Sequence, residues 1–228
     1  MTAPPSIRSG RDEDAAGFIA LIGDALGEYP GCVLDVDREA PELRALATHF
    51  AAQGGAVWAA ERDGALLGMV ATRPLRDDAA FEICRMYLAA AARGTGLADA
   101  LLDAAEGFAR AQGAQRLILW TNTRFQRAHV FYERRGYVRQ GAIRILDDLS
   151  RSLEFRYAKP ARGLVADLLD AAAAASAERR LAAILTACVA EGAEVSFLRP
   201  LAPERARGFW RSVAADVAAG TRLLLAAW

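Results

Sequence analysis

A glycine-rich turn between a strand-like run and an amphipathic helix is the feature that most constrains how this chain folds. Residues 84 to 113 read CRMYLAAAARGTGLADALLDAAEGFARAQG, with Gly94 and Gly96 directly before the helical pattern. Glycine adopts positive φ without steric cost, and the first turn of a helix has free N–H groups and partial positive charge. The pattern therefore predicts a strand, turn and helix that can hold a phosphate or pyrophosphate, although a turn without a ligand fits the same spacing.

The charge balance and the cysteines indicate the class of protein. The chain has 28 acidic and 28 basic residues among 228, so it has no basic field for nucleic acid. Cys32, Cys84 and Cys188 are odd in number and far apart, which fits a reduced protein better than a disulfide framework. The N-terminal MTAPPSIRSG lacks a signal pattern, and no apolar run is long enough to span a bilayer. We expect a cytoplasmic protein that binds neither nucleic acid nor membrane.

Several enzyme classes lack their motifs in this sequence. There is one lysine, Lys159, and no Gly-Lys-Ser/Thr, Gly-x-Ser-x-Gly or zinc-spaced Cys/His cluster occurs, so we expect no metal. A dinucleotide fingerprint would require a small residue where Asp99 stands, and it would open an N-terminal βαβ unit. Here the glycine turn follows a strand meander, which disfavours that interpretation.

The hydrophobic periodicity divides the chain into two regions. Up to residue 160 it predicts strands and helices, including a strand meander with a hairpin at Asp63-Gly64, a helix over 97–112 and another over 125–135. Residues 164–191 are alanine-rich and indicate an almost wholly helical segment; an extended run over 194–201, a helix over 203–219 and a strand over 221–228 follow. We predict domains at 1–160 and 161–228, the second mainly helical.

Three segments of the first region resemble the GCN5-related N-acetyltransferases. Arg93-x-x-Gly96-x-Ala98 is similar to their acetyl-coenzyme A loop, Gln/Arg-x-x-Gly-x-Gly/Ala, and FEICRMYL resembles their fourth strand. AHVFYERRGY resembles their last helix and following strand, and the order of elements over 6–159 is also similar. The resemblance implies a mixed α/β fold with a mostly antiparallel, twisted sheet, flanking helices and a splayed pair of parallel strands. Acetyl-CoA would lie between these two strands, which end at Leu88 and Thr121.

The resemblance also implies which residues hold acetyl-CoA. Backbone groups of Met86 and Leu88 would bind the pantetheine arm, and N–H groups over 93–98 the pyrophosphate. Many relatives have an asparagine where Phe125 stands, so the nearby Asn122 is the candidate for its contact. The expected cofactor-binding residues are Met86, Tyr87, Leu88, Arg93, Gly94, Thr95, Gly96, Leu97, Ala98 and Asn122.

Acetyl transfer to an amine requires a neutral amine, a donor for the oxyanion and a proton for the leaving thiolate. Tyr132 matches the family tyrosine that is usually placed near the cofactor sulfur, so it is the expected acid; a tyrosine that only packs is the alternative. His129, one turn earlier, could touch a ligand, but we favour a partly exposed helix histidine.

Glu82 is the candidate general base, acting directly or through water. Period-two alternation predicts that it shares a face of its strand with Cys84, Met86 and Leu88. The alternatives are that it orients a substrate ammonium or pairs with an arginine, such as Arg73 or Arg85.

The acceptor is open: a small-molecule or a protein amine fits equally. Phe18, Tyr29, Trp58 and Trp120 could line its pocket, although such residues are more often core. A non-catalytic acyl-CoA-binding or regulatory module is the alternative function.

The tail over 161–228 resembles the front part of a second domain of the same family. The similar segments are EGAEVSFLRPL, the helix with Phe209-Trp210, and GTRLLLAAW. This copy would stop before a glycine loop of its own, so we expect a packing or dimerisation element and consider a homodimer possible.

Overall fold

The computed structural model describes residues 4–75, 79–163, 166–193 and 195–227, without the side chains of residues 166 and 167. The chain divides into two compact units, Met1–Gly163 and Leu164–Trp228. Each unit has apolar clusters made of its own residues.

The first unit is a mixed α/β structure. Its sheet has the strand order β1-β2-β3-β4-β5-β8-β6, with β7 also beside β8, and β4–β5 is the parallel pair among otherwise antiparallel described pairs. This confirms the predicted fold class. The elements are β1 Ser6–Ser9, α1 Ala15–Gly27, α2 Leu46–Ala52, β2 Ala56–Arg62, β3 Ala65–Leu75, β4 Ala80–Leu88, α3 Leu97–Ala111, β5 Arg116–Asn122, α4 Gln126–Arg134, β6 Val138–Arg139, β7 Arg144–Ile145 and β8 Leu153–Pro160, with short 3-10 helices at Asp12–Asp14, Pro41–Ala45 and Ala90–Ala92.

Helices cover both faces of this sheet. α3 and α4 pack on one face, where Leu101, Leu117 and Tyr157 belong to one buried cluster. α1 and α2 pack on the other face, where Phe18, Phe50 and Met69 belong to a second cluster. The β2–β3 hairpin turns at Asp63-Gly64, as predicted, with positive φ at both residues.

The two parallel strands separate after a short paired stretch. They pair from Ala80↔Arg116 to Ile83↔Leu119, and beyond this point both strands continue without pairing each other. On its other side β4 contains a bulge. Between the pairs Met69↔Tyr87 and Ala71↔Cys84 one residue of β3 lies opposite two residues of β4, and the first of these two, Arg85, has φ +49°. A bulge bends the strand that carries it, so the bulge accounts for the divergence of β4 from β5.

The same bulge corrects the predicted face of Glu82. Cys84 and Tyr87 pack with the cluster under α1 and α2, whereas Met86 and Leu88 pack with the cluster under α3. The extra residue shifts the alternation by one, so Glu82 does not share its face with Met86 and Leu88. The prediction was wrong because strict period two holds only for an unbulged strand.

A buried carboxylate ties α3 to the end of the first unit. Glu106 is 1% exposed and lies 2.6 Å from Lys159 Nζ; it also accepts hydrogen bonds from Tyr137 Oη and Arg110 Nη2. Lys159 donates a further hydrogen bond to the Arg135 carbonyl, and its side chain is 12% exposed. The carboxylate is therefore fully compensated, as a buried charge must be.

The second unit combines three helices with a two-stranded antiparallel sheet. Its elements are β9 Ala166–Leu169, α5 Ala171–Ser176, α6 Glu178–Ala190, α7 Pro203–Ala218 and β10 Leu224–Ala227, with β9 paired to β10. The prediction of an almost wholly helical 164–191 was wrong over β9, because the Asp170 side chain accepts the Ala173 N–H and so begins the helix only there. Residues 195–201 contain no strand, and residues 164, 165, 194 and 228 of the predicted segments lie outside the described residues.

No helix in the described ranges is both long and apolar enough to cross a bilayer. The predicted cytoplasmic location and the interpretation of the tail as an incomplete second copy stay predictions.

We expect a chain that ends after Gly163 to be more stable than one that ends after Lys159. Ala161 is 2% exposed, its N–H donates to the Gln115 carbonyl, and its carbonyl accepts from Arg110 Nε. Losing these two hydrogen bonds and the buried methyl should lower the free energy of unfolding by about 2 kcal/mol. Urea denaturation of the two truncated chains measures the difference. Equal midpoints would show that the first unit ends at the earlier boundary.

Candidate active site

A cavity of about 360 Å³ opens where β4 and β5 separate. Its walls come from both strands, from α1, from the start of α3, from α4 and from β8. Among the residues that the sequence singled out, the structure brings together here Met86, Tyr87, Leu88, Arg93, Gly94, Ala98, Asn122 and Tyr132.

Three predicted residues of the turn do not line this cavity. Leu97 is 4% exposed and packs into the core under α3. The Thr95 hydroxyl donates to the Ala92 carbonyl at 2.7 Å, which closes the turn, and Gly96 is the N-cap of α3 with φ +85°. These three residues shape the turn, and only their backbone N–H groups are available to a ligand.

The N-terminus of α3 is open to an anion. Its first hydrogen bond runs from Ala100 N–H to the Gly96 carbonyl, and no side chain caps the helix. Within the described residues no acceptor is bonded to the N–H groups of residues 97–99. A Cβ at Gly94 or Gly96 would meet nothing within 4 Å, so the space before these amides is free. The turn therefore fits a pyrophosphate.

Two arginines lie beside this turn. Arg93 pairs with Glu28, 2.6 Å apart, and its hydrogen bond lowers the pKa of that carboxyl. Arg127 lines the cavity from the first turn of α4, and its charge also lowers the pKa of Glu28. The sequence interpretation missed Arg127. The signal was the helical spacing of residues 127, 128, 131 and 132, which all line the cavity.

Tyr132 presents an unpaired hydroxyl to the cavity. The residue is 7% exposed, and its ring packs edge-on against Phe131 and Tyr137. Within the part of the chain that the structure describes, its hydroxyl has no hydrogen-bond partner. Burial raises the pKa of Tyr132 above its ordinary value near 10, so the phenol keeps its proton at neutral pH.

Glu82 does not line the cavity, although the next two residues of β4 do. It is 8% exposed, and its Oε2 accepts from Arg73 Nε at 2.9 Å and Nη2 at 2.8 Å. The ion pair with Arg73 is one of the alternatives that the sequence left open. Glu82 lies one residue before the last pair of the parallel stretch, Ile83↔Leu119. Its role as general base stays a prediction.

Asn122 holds the loop that ends β5. Its Nδ2 donates to Ser152 Oγ at 3.0 Å, and its Oδ1 accepts the Arg124 N–H at 3.0 Å. Its carbonyl lies 2.9 Å from His129 Nε2, so this half-buried histidine supports the loop and does not line the cavity. Phe125 does line it, with its ring 4.6 Å from that of Tyr29.

Of the four aromatic residues considered for the acceptor pocket, Tyr29 and Trp120 line the cavity. Phe18 is fully buried in the core, and Trp58 packs against Phe108. Among the described residues no group of three or more His, Cys, Asp or Glu side chains is placed to hold a metal ion.

Comparison with known proteins identifies one family. The family model described as the acetyltransferase (GNAT) family matches residues 18–137. N-acetyltransferase 8 of Mus musculus is 31% identical over 98 residues, which are 41% of this chain and 43% of that protein. N-acetyltransferase 8F1 of Rattus norvegicus is 30% identical over 125 residues, 53% of this chain and 54% of that protein. The chain thus spans about half the length of these relatives.

Solved structures share the fold of the first unit. An acetyltransferase of the GNAT family from Staphylococcus aureus Mu50 superimposes with a TM-score of 0.62 at 18% identity, over 70% of this chain and 100% of that one. An acetyltransferase from Salmonella typhimurium, solved with its cofactor acetyl-CoA, superimposes with a TM-score of 0.56 at 16% identity, over 71% of this chain and 96% of that one.

Proposed function

The chain belongs to the acetyltransferase (GNAT) family, and we propose that it transfers an acetyl group from acetyl-CoA to a primary amine by direct attack in a ternary complex. The observation that carries this proposal is one cavity with an uncapped helix N-terminus at its glycine turn and an unpaired, protonated phenol in its wall. The helix N-terminus can hold the pyrophosphate of the cosubstrate, and the phenol can supply the proton that the leaving thiolate requires.

Binding is assigned to the turn and the separated strands. The amides over 93–98 would hold the pyrophosphate, with Arg93 and Arg127 beside it, and the unpaired edge of β4 over Met86–Leu88 would hold the pantetheine arm. Asn122 would act through the shape of its loop, because its side-chain atoms already have partners. A neighbour of the same fold is known with acetyl-CoA bound, which supports this choice of cosubstrate.

Acetyl-CoA supplies a thioester, an acyl group already activated for attack by an amine. A base removes the proton of the amine, the amine nitrogen forms a bond to the carbonyl carbon, and the C–S bond breaks. Tyr132 donates its proton to the departing sulfur, so one proton is lost by nitrogen and one is gained by sulfur. The burial that raises the pKa of Tyr132 keeps this donor protonated over the working pH range.

The proposal is tested by the release of free CoA thiol when acetyl-CoA is mixed with a panel of primary amines. We expect release that depends on the amine, together with an N-acetylated product of matching mass. Tight acetyl-CoA binding by calorimetry without any amine-dependent release would instead support the non-catalytic binding module.

Replacing Glu82 tests the proposed base. The rise of kcat/KM with pH reports deprotonation of an essential base, so Glu82→Gln should remove that limb and lower kcat by about 10- to 10²-fold. The limb that belongs to the amine acceptor should remain. An unchanged profile and rate, with a lowered melting temperature, would mean that Glu82 serves only to hold Arg73.

A further inference from the structure

The β4 bulge places an arginine with unused donors in the cavity wall. Arg85 carries the positive φ of the bulge, and such backbone strain concentrates at functional sites. Its side chain is 30% exposed and lines the cavity, and Nη2 donates to Glu42 Oε1 at 2.5 Å. That bond and a hydrogen bond to the Tyr87 hydroxyl leave further N–H groups of the guanidinium, which has five, for a ligand.

A carboxylate with a free oxygen lines the same cavity. Glu154 projects from β8, and its Oε2 accepts from Arg144 Nε at 2.9 Å. Its Oε1 has no hydrogen bond within the described residues. The guanidinium of Arg144 lies 4.3 Å from the ring centre of Trp120, another lining residue, so Glu154 is held against an aromatic wall.

Arg85, Tyr87 and Glu154 line the same cavity. Burial raises the pKa of the Tyr87 hydroxyl; the charge of Arg85 and its hydrogen bond oppose that rise, and the charge of Glu154 adds to it. Tyr87 packs in the cluster under α1 and α2, on the sheet face opposite to Met86 and Leu88. The cavity thus has two charged side chains, those of Arg85 and Glu154, that the proposed acetyl-CoA contacts do not use.

We propose that the acceptor is a primary amine of amino-acid type, whose carboxylate binds Arg85 and whose ammonium binds Glu154. This inference rests on the proposed function and specifies its acceptor. A guanidinium offers a planar fork of N–H groups that matches a carboxylate, and a carboxylate oxygen accepts from an ammonium. Tyr29 and Trp120 supply the apolar surface for the rest of the molecule.

Glu42 completes the arrangement because its negative charge is paired with the same guanidinium and repels an entering carboxylate. Its side chain is 20% exposed and its bond to Arg85 satisfies the arginine in the absence of acceptor. An entering carboxylate can use the remaining N–H groups without breaking that pair. Removing the Glu42 charge should therefore strengthen the binding of an acid, whereas removing Arg85 should weaken it.

Matched acids and amides test the proposal by binding, without reliance on turnover. The probes are glycine, L-leucine and L-phenylalanine, each against its own amide, titrated by calorimetry into the full chain saturated with acetyl-CoA analogue. Each pair keeps the amine and changes only the carboxylate. Ratios of acid to amide affinity are compared between variants, so that the different basicity of the two amines cancels.

We expect at least one acid to bind more tightly than its amide. Arg85→Gln should lower the affinity for that acid about tenfold and leave the amide within twofold. Glu42→Gln should raise the affinity for the acid and leave the amide unchanged, and this opposite sign does not arise from loss of folding. Glu154→Gln should weaken acid and amide alike, because both carry the ammonium.

The proposal is overturned if no acid binds in any pair, if the amides bind as well as the acids, or if Arg85→Gln leaves the acid-to-amide ratio unchanged. These outcomes are separate from failure of the proposed function. That failure would show as absence of acetyl-CoA binding and of acetyl transfer to any amine, which are measured independently on the unaltered chain.

Discussion

We expect Tyr132→Phe to lower kcat by about 10²-fold and to leave the affinity for acetyl-CoA nearly unchanged. The substitution removes one oxygen, which has no hydrogen-bond partner among the described residues and faces the cavity. A proton that is donated only as the C–S bond breaks contributes to the transition state and little to binding, so its loss falls on kcat. Steady-state kinetics and calorimetry with acetyl-CoA measure the two quantities.

Tyr137→Phe is the matched control. Its ring lies 5.7 Å from that of Tyr132, but its hydroxyl donates to the buried Glu106 at 3.0 Å. Removing it should lower the free energy of unfolding by about 1–2 kcal/mol and leave kcat near that of the unaltered chain. Tyr132→Phe should show the reverse pattern. Normal turnover in Tyr132→Phe would remove this residue from the mechanism and leave it as packing.

The raised pKa of Tyr132 predicts how kcat depends on pH. Burial disfavours the charged phenolate, so the donor stays protonated up to at least its ordinary value near 10. Loss of this acid therefore should not lower kcat between pH 7 and 10. A fall of kcat within this window that disappears in Tyr132→Phe would show that the phenol ionises there, contrary to its burial.

We also expect Gly96→Val to weaken the binding of acetyl-CoA at least tenfold, or by about 1.4 kcal/mol. A branched side chain at the N-cap would stand in the open space before the free amides of α3 and keep an anion from approaching them. The φ of +85° adds strain for any L side chain, so the free energy of unfolding should also fall by about 1–2 kcal/mol. Calorimetry at a temperature well below unfolding separates the two effects.

Gly113→Val is the matched control for Gly96→Val, because it introduces the same backbone strain at a residue far from the proposed pyrophosphate site. Gly113 has φ +84°, its Cβ would also meet nothing within 4 Å, and it follows the other end of α3. We expect a similar loss of stability and an unchanged affinity for acetyl-CoA. If both variants bind acetyl-CoA as the unaltered chain does, the glycine turn is a tight turn and not the pyrophosphate site.

Much of the first unit follows from local sequence, and its exceptions have local causes. The turn at Asp63-Gly64 and the helix after Gly96 could be predicted, because glycine placement and apolar period determine them. The bulge at Arg85 could not, because no glycine marks it and its positive φ is imposed by pairing with β3. This one residue changed which side chains share the face of Glu82.

The residues of the candidate site also divide into those that the sequence could predict and those that it could not. A motif could point to the turn and to Tyr132, whereas Arg127 and Glu154 enter the cavity from elements whose relative placement depends on tertiary packing. β9 was missed for a related reason. Alanine-rich sequence favours helix, but residues 166–169 pair with β10, from Leu169↔Leu224 to Ala166↔Ala227, and such long-range pairing leaves no local signal.

The ion pair between buried Glu106 and Lys159 makes this protein a poor acceptor for the acetyl transfer proposed for it. Lys159 is the one lysine of the chain, and its amine is enclosed between Glu106, the Arg135 carbonyl and the ring of Tyr137. A protonated amine held in this way is neither nucleophilic nor accessible to an acetyl donor. The surface of the folded protein therefore offers no lysine ε-amine for self-modification, and acyl-ester labelling reagents would leave its side chains largely untouched until the fold opens.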